Sequence, residues 1–489
     1  MRCALIIPAW TPEEIFASRT APSQINYWQP LGTLYVAACL LQAGHTVRFL
    51  DGAFLPHEEI LRQVGKFKPE VAGIYATAFG WPGALKTAAD LKRMDPGIFV
   101  CAGGPYPVAL RQRCLENDGA CLDAVVTGEG EHSLVELLDR LARGQRLDGV
   151  PGVAFRRGER IIDNPPRPLI EDLDALPFPA RALLEGADRY LPPPATYRRA
   201  PVATLITSRG CSRRCLFCFQ IDRERKAGRR GVRLRSVENV LQEIELCLAQ
   251  GYREIKFLDD SFAADRDRAM QLCHAIRARR LDFTWFASAC ANQVDRPLLQ
   301  AMKDAGCWAI LIGAESGVQK NLNALRKACT LDQIRQAVRA AKEVGLHVST
   351  PFVFGIPGET FADGLKTIEF AIALDPDLAN FHCLTPFPGT DLHDGGEQYG
   401  RLSPELGDYT YQGAAFAPHT MTREEIQRLR QLAFRRFYSR PGFLLRRLCA
   451  VRSLHEVRAA ARGLRSLFWL WAAGGLFYRG KNESATRPG

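Results

Sequence analysis

Short apolar runs separated by longer amphipathic stretches recur twice along this chain, and that alternation limits the fold more than any other feature. In the first block, Cys3–Ile7, Thr46–Leu50, Val71–Tyr75, Ile98–Ala102 and Ala124–Thr127 read as strands. Leu31–Gln42, His57–Phe67, Pro82–Met94 and His132–Ala142 read as the helices between them. Strand–helix alternation of this kind predicts a parallel sheet covered by helices on both faces. A ligand of such a sheet lies beyond the carboxyl ends of the strands. Those ends carry Pro8–Trp10, Asp51–Gly52, Ala76–Gly83, Gly103–Gly104–Pro105 and Thr127–Gly130. The glycines there, Gly103, Gly104 and Gly128 among them, let a backbone approach something bulky, although glycine at such a turn is also common for structural reasons alone.

The second block runs from about 201 to 385. Its strand candidates are Val202–Thr207, Glu254–Leu258, Phe283–Ser288, Trp308–Ile312, Val348–Phe354 and Leu378–Cys383. Ser236 and Thr330 suit helix N-caps, and Gln333 completes a capping box with Thr330. Six strand–helix units in a row predict a full or partial (β/α)6 barrel with its site at the carboxyl face. Between the blocks, Asn164–Pro168, Leu176–Pro179 and Leu191–Pro194 are proline-rich and read as extended linker. The expected division is 1–145, an α/β Rossmann-like (flavodoxin-like) domain; 146–200, linker; 201–390, barrel; and 391–489, a helical, arginine-rich carboxyl-terminal region.

Composition narrows the partners. The 489 residues are 47% apolar and carry a formal charge of +11, with the basic excess concentrated after about residue 420. A positive balance suits nucleic acid, a membrane surface or an acidic substrate, or it reflects arginine-rich usage with no partner at all. No recognisable RNA-binding appendage and no aromatic–basic interleaving are present, so nucleic acid is not an expected partner. No run reaches the ~20 apolar residues of a spanning helix. The opening run, Met1–Pro8, is too short for a signal-peptide core. With 15 cysteines, mostly scattered singly, a reduced cytoplasmic thiol pool is expected.

One cysteine group is regular. Thr207–Phe219 contains C-x3-C-x2-C at Cys211, Cys215 and Cys218, directly after the first strand of the second block. Three thiolates on one tight loop each bind one iron of a cubane cluster and leave the fourth iron open to a small molecule. Gly210 lets the loop turn, and Phe217 and Phe219 shield it from water. A zinc knuckle is the competing reading, but zinc wants a fourth ligand from a second cysteine pair, and none is seen.

This motif, with an aromatic before the last cysteine, resembles the radical S-adenosylmethionine (radical SAM) superfamily. The resemblance implies a [4Fe–4S] cluster on Cys211, Cys215 and Cys218, shielded by Phe217. It implies S-adenosylmethionine chelated at the free iron and cleaved to a 5′-deoxyadenosyl radical, and an electron donor such as flavodoxin or ferredoxin. It places Asp259 and Asp260, in Phe257–Phe262, near the methionine amino group. It places Glu315 and Ser316, in Ile312–Gly317, near ribose and methionine, and Gly355, in Gly355–Thr360, on the adenine side. The branch often carries an arginine after Trp285–Ser288, where this chain has Cys290-Ala-Asn292, a departure that puts the polar contact to the methionine carboxylate in question. No acid–base catalyst is assigned.

The first block, with Gln29–Ala38, Ala43–Asp51, Ala102–Pro105 and Val126–Glu131, resembles the cobalamin-binding domain of one branch of that superfamily. This implies cobalamin at Gly103, Gly104 and Gly128, and a methyltransferase acting on an unactivated carbon. The same domain pair serves a tetrapyrrole-type cyclase, which makes no S-adenosylhomocysteine. A non-catalytic cobalamin-binding protein and an RNA-modifying radical enzyme are the readings from other classes. The D-x-H-x-x-G motif that supplies a histidine under cobalt is absent, and His45 reads as structural. The expected lower cobalt face has water, a nearby side chain or no protein ligand. Leu467–Trp471, Phe477 and Tyr478 allow a peripheral contact with the inner membrane and a lipid-like hydrophobic substrate; packing against the barrel is the alternative.

Overall fold

A computed structural model of the chain describes residues 1–12, 27–116, 119–192, 196–221, 231–410 and 413–449. Leu467–Trp471, Phe477 and Tyr478 lie outside these residues.

The first block forms a seven-stranded sheet in the order β2-β1-β3-β4-β5-β6-β7. Its strands are β1 (Arg2–Ile7), β2 (Thr46–Asp51), β3 (Val71–Tyr75), β4 (Phe99–Gly103), β5 (Ala124–Val126), β6 (Val153–Arg157) and β7 (Arg160–Asp163). The first five are parallel, in the flavodoxin-like order 2-1-3-4-5. They bury apolar side chains on both faces, Ile6, Ile74 and Val100 on one and Leu5, Val71 and Cys101 on the other. This is why they read as continuous hydrophobic runs rather than alternating ones.

β6 and β7 are antiparallel and extend this sheet. They fall inside the stretch read as linker. The prolines lie beyond them, while Val153–Phe155 is apolar and Gly158 takes the left-handed conformation (φ 60°) that the tight hairpin turn requires. His45 sits at the opposite end of the sheet from the carboxyl edge. Its Nδ1 faces the amino terminus at 3.3 Å and its Nε2 faces Asp139 at 3.4 Å.

The second block forms a six-stranded parallel sheet in the order β15-β14-β13-β12-β11-β8. The strands are β8 (Val202–Leu205), β11 (Glu254–Phe257), β12 (Thr284–Ala289), β13 (Cys307–Ile312), β14 (His347–Phe354) and β15 (Leu378–Cys383). Two short strands, β9 (Ser208–Arg209) and β10 (Arg233–Leu234), pair antiparallel beside it. β8 and β15 do not pair with each other, so the barrel is open. Its outer face packs on the helices through Phe257, Trp285, Phe352 and Phe381. The helix caps follow the sequence. Ser236 accepts from the Asn239 N–H (3.1 Å), and Thr330 and Gln333 form the expected capping box.

The carboxyl-terminal region adds a hairpin of β16 (Gly400–Leu402) and β17 (Phe416–Pro418). The helix Arg423–Tyr438 follows, laying Ile426, Leu429, Ala433 and Phe437 on the barrel. No helix among the described residues is long and apolar enough to cross a membrane.

Candidate functional site

The cysteine loop leaves β9 through Gly210, whose φ of 89° suits glycine. Leu216, 1% exposed, anchors it: its N–H donates to the Leu325 carbonyl (3.0 Å) and its carbonyl accepts from the Leu392 N–H (2.9 Å). Phe217 packs beside it against the apolar cluster that Leu216 shares with Leu325, Val353 and Leu384. Cys211 and Cys215 are half-buried and Cys218 is exposed, so apolar anchors point in while the thiols face the mouth. Asp259 lies beneath this loop. Its Oδ1 accepts from the Thr207 N–H (2.8 Å), the Thr207 hydroxyl (3.1 Å) and the Ser208 hydroxyl (2.6 Å). Its Oδ2 is buried without a partner, and burial pushes the carboxyl above its ordinary range. Asp260, on the surface, adds negative charge beside Cys211.

The facing edge of the first sheet is built from glycines. Gly104 has φ 108°, and a Cβ there would stand 2.7 Å from the Ala76 carbonyl oxygen. A Cβ at Gly128 would meet nothing within 4 Å. Beside it the Thr127 hydroxyl is buried and unpartnered. This edge therefore offers open space and a free buried polar group to a bulky ligand.

Two acids of the same turn reach the barrel. Glu129 pairs with Arg209 (2.8 Å) and Arg233 (2.8 Å), and Glu131 pairs with Arg209 (2.5 Å). All four side chains are at most 15% exposed. Arg209 stands two residues before Cys211, so this clasp ties the glycine turn directly to the cysteine loop. A Cβ at Gly389 would meet both Ala109 (2.8 Å) of the first block and Phe219 (2.9 Å) of the cysteine loop. The two carboxyl edges thus abut.

Comparison with known proteins decides the family. The Radical SAM superfamily profile matches residues 205–371, and the B12 binding domain profile matches residues 25–138. An uncharacterized methyltransferase of Pyrococcus horikoshii is 33% identical over 444 residues, 90% of this chain and 94% of that protein. This chain belongs to the cobalamin-dependent radical SAM enzymes. The anaerobic magnesium-protoporphyrin IX monomethyl ester cyclase of Rubrivivax gelatinosus is 26% identical, over 85% of this chain and 75% of the cyclase. The radical SAM methyltransferase TsrM of Kitasatospora setae, solved with tryptophan and a SAM analogue, shares the fold. Its TM-score is 0.71 at 17% identity, over 96% of this chain and 99% of that one.

The cysteine loop fits the cluster of this radical SAM enzyme. Among the described residues no three His, Cys, Asp or Glu side chains close around a single ion. A cubane asks for something else, with each thiolate on a separate iron. The thiols sense one another: Cys218 holds the Cys215 thiol down while its own is pushed up, and Cys211 lies in the field of Cys215. Burial raises Cys211 to about 11. Lys327 opposes this at Cys215, stabilising the thiolate form that iron binds.

Lys327 pairs with Glu315 at 2.6 Å, both nearly buried. Burial works against the Lys327 charge, but Glu315 outweighs it and holds the amine up. Glu315 takes a left-handed φ of 60°, and its backbone bridges β14 through the Pro351 carbonyl and the Val353 N–H (2.9 Å each). Ser316 is fully buried, its hydroxyl within 3.1 Å of the Thr367 hydroxyl and accepting from the Asn321 amide (3.1 Å). The Gly355 N–H donates to Glu359 (2.7 Å), as does the Ile356 N–H (3.1 Å). Burial nonetheless pushes the Glu359 carboxyl up to about 8. Sequence reasoning did not find Lys327 or the Glu129–Glu131 clasp. The only available signal for the clasp was an acid pair in a glycine turn matched by arginines flanking the cysteine loop.

Proposed function

We propose that this enzyme is a C-methyltransferase acting on an unactivated carbon of a small molecule. The observation that carries the reading is the relative of 33% identity, which is named a methyltransferase and is spanned over 94% of its length. When bound, the cluster with S-adenosylmethionine supplies a 5′-deoxyadenosyl radical, and methylcobalamin supplies the methyl group. The chain's own residues hold and shield these groups. Cys211, Cys215 and Cys218 are the proposed cluster ligands, with Lys327 balancing thiolate charge. Leu216 and Phe217 exclude water. Asp259, through its free Oδ2, and Asp260 are the proposed acceptors of the methionine amino group. Glu315 and Ser316 line the ribose side, Ser316 by fixing the turn, and Gly355 lines the adenine side. Gly103, Gly104 and Gly128 are the residues that would hold the cobalamin at the first sheet's edge. The clasp keeps the two carboxyl edges together around the substrate. Reduced flavodoxin or ferredoxin is the proposed electron source.

Anaerobic turnover with methyl-labelled S-adenosylmethionine tests this. The expected products are 5′-deoxyadenosine and S-adenosylhomocysteine together. Deoxyadenosine without homocysteine product would replace the reading with a cyclase, in line with the Rubrivivax relative.

A further inference from the structure

Lys256 lies on β11 between Ile255 and Phe257, which pack outward against the helices. Side chains alternate along a strand, so Lys256 faces the lumen. Its side chain lies on Phe286, the lumen-facing residue between Trp285 and Ala287 of β12, with Nζ 2.8 Å from the ring centroid. Lys256 is 8% exposed. Among the described residues, no hydrogen bond or ion pair reaches it.

The nearest carboxylate on its strand is already committed. Glu254 accepts from the Arg198 N–H (2.7 Å), the Arg199 N–H (2.9 Å), the Thr284 hydroxyl (2.7 Å) and the Trp308 indole (3.0 Å). Two residues on, just past the carboxyl end of β11, Leu258 is 37% exposed.

A buried ammonium without an anion is unfavourable; an apolar side chain of similar volume would be at least as stable there. The ring face offsets only part of that penalty. Burial also pushes the amine well below its ordinary range, and a neighbouring anion would restore its charge. A lone ammonium is a single point charge, which matches a carboxylate better than a phosphate dianion that wants several donors.

We propose that Lys256 is the anion anchor of the barrel lumen, holding a carboxylate of the molecule bound there against the face of Phe286. The proposal rests on the barrel being the substrate site, and it adds the chemistry that site recognises. The carboxylate comes either from the methionine end of S-adenosylmethionine or from the methyl acceptor.

The test uses the full chain, anaerobically reconstituted, as wild type, K256M and K256R, with circular dichroism confirming each fold. If K256M does not fold, K256Q takes its place. Acetate is the first probe, read by thermal shift at constant ionic strength against chloride. S-adenosylmethionine is the second, read by equilibrium dialysis. Ligand-free K256M is expected to melt at or above wild type and to lose the acetate response, which K256R retains. A carboxylate from the cosubstrate also weakens S-adenosylmethionine binding to K256M by roughly tenfold or more. A carboxylate from the methyl acceptor leaves that binding unchanged while the acetate response is lost. Wild-type behaviour of K256M toward both probes would overturn the proposal. Neither readout counts methyl transfer, so failure of the methyltransferase reading gives a separate result.

Discussion

The two carboxyl edges that meet at the centre of this molecule are finished in opposite ways. The barrel's edge is largely satisfied from within: Asp259 Oδ1 takes three hydrogen bonds from the segment before the cysteines and only its Oδ2 is left over, Glu315 is closed by Lys327, and Glu359 is closed by backbone N–H groups. The first sheet's edge is left open, with a free Thr127 hydroxyl and space over Gly128. Rigidity suits a loop that must present three thiols in one geometry, whereas openness suits a ligand that brings its own rim of polar groups. The Glu129–Glu131 clasp on Arg209 and Arg233 is where the open edge borrows stability from the closed one.

Breaking the clasp gives the largest expected effect on stability. R209M strands Glu131 and half-strands Glu129, and removing one partner of a nearly buried ion pair costs about 3 kcal/mol. Urea unfolding should show that loss, with weakened hydroxocobalamin binding and reduced cluster yield in the same variant. If only one of the two cofactors responds, the edges are independent.

The closed edge has a pH signature. The folded Glu359 carboxyl, at about 8, lies above its ordinary value of 4.5, so the folded chain holds a proton that the unfolded chain has lost. Stability contributed by this group is therefore present at low pH and lost as pH rises from about 4.5 to about 8. The slope reaches about 1.4 kcal/mol per pH unit at most. E359Q should flatten it in urea titrations across that range, and an unchanged slope would contradict the assignment.

The glycines sharpen the contrast at the open edge. Gly104→Ala forces a left-handed residue against the Ala76 carbonyl and should cost about 1–3 kcal/mol. Gly128→Ala meets no atom and should change stability by less than about 0.5 kcal/mol. It should still weaken hydroxocobalamin binding in equilibrium dialysis, because the new methyl occupies the space over the edge. Equal stability losses in the two variants would show that the open space is not there.

Much of this was legible in the sequence. Period and run length separated strand from helix in both blocks, and the cysteine spacing marked the loop because three thiols at that spacing have few other uses. β6 and β7 were hidden by neighbouring prolines, whose strong local signal masked a short hairpin. Ser316 was singled out from its segment, but sequence cannot tell a hydroxyl that faces a ligand from one that fixes a turn, and here the hydroxyl meets Thr367 and Asn321. Lys327 and Lys256 were invisible for a different reason. A lysine's meaning lies in what surrounds it, and only the fold brings one to Glu315 and Cys215 and the other into the lumen.

The central claim is that Cys211, Cys215 and Cys218 together carry one cluster with a site-open iron. Iron and sulfide content after anaerobic reconstitution, measured with 5′-deoxyadenosine formation in serine variants at each position, tests it most directly. Wild type should bind about four irons per chain, and each serine variant should lose both the cluster and the deoxyadenosine. Retention of iron and of S-adenosylmethionine cleavage in any one of the three would contradict the account.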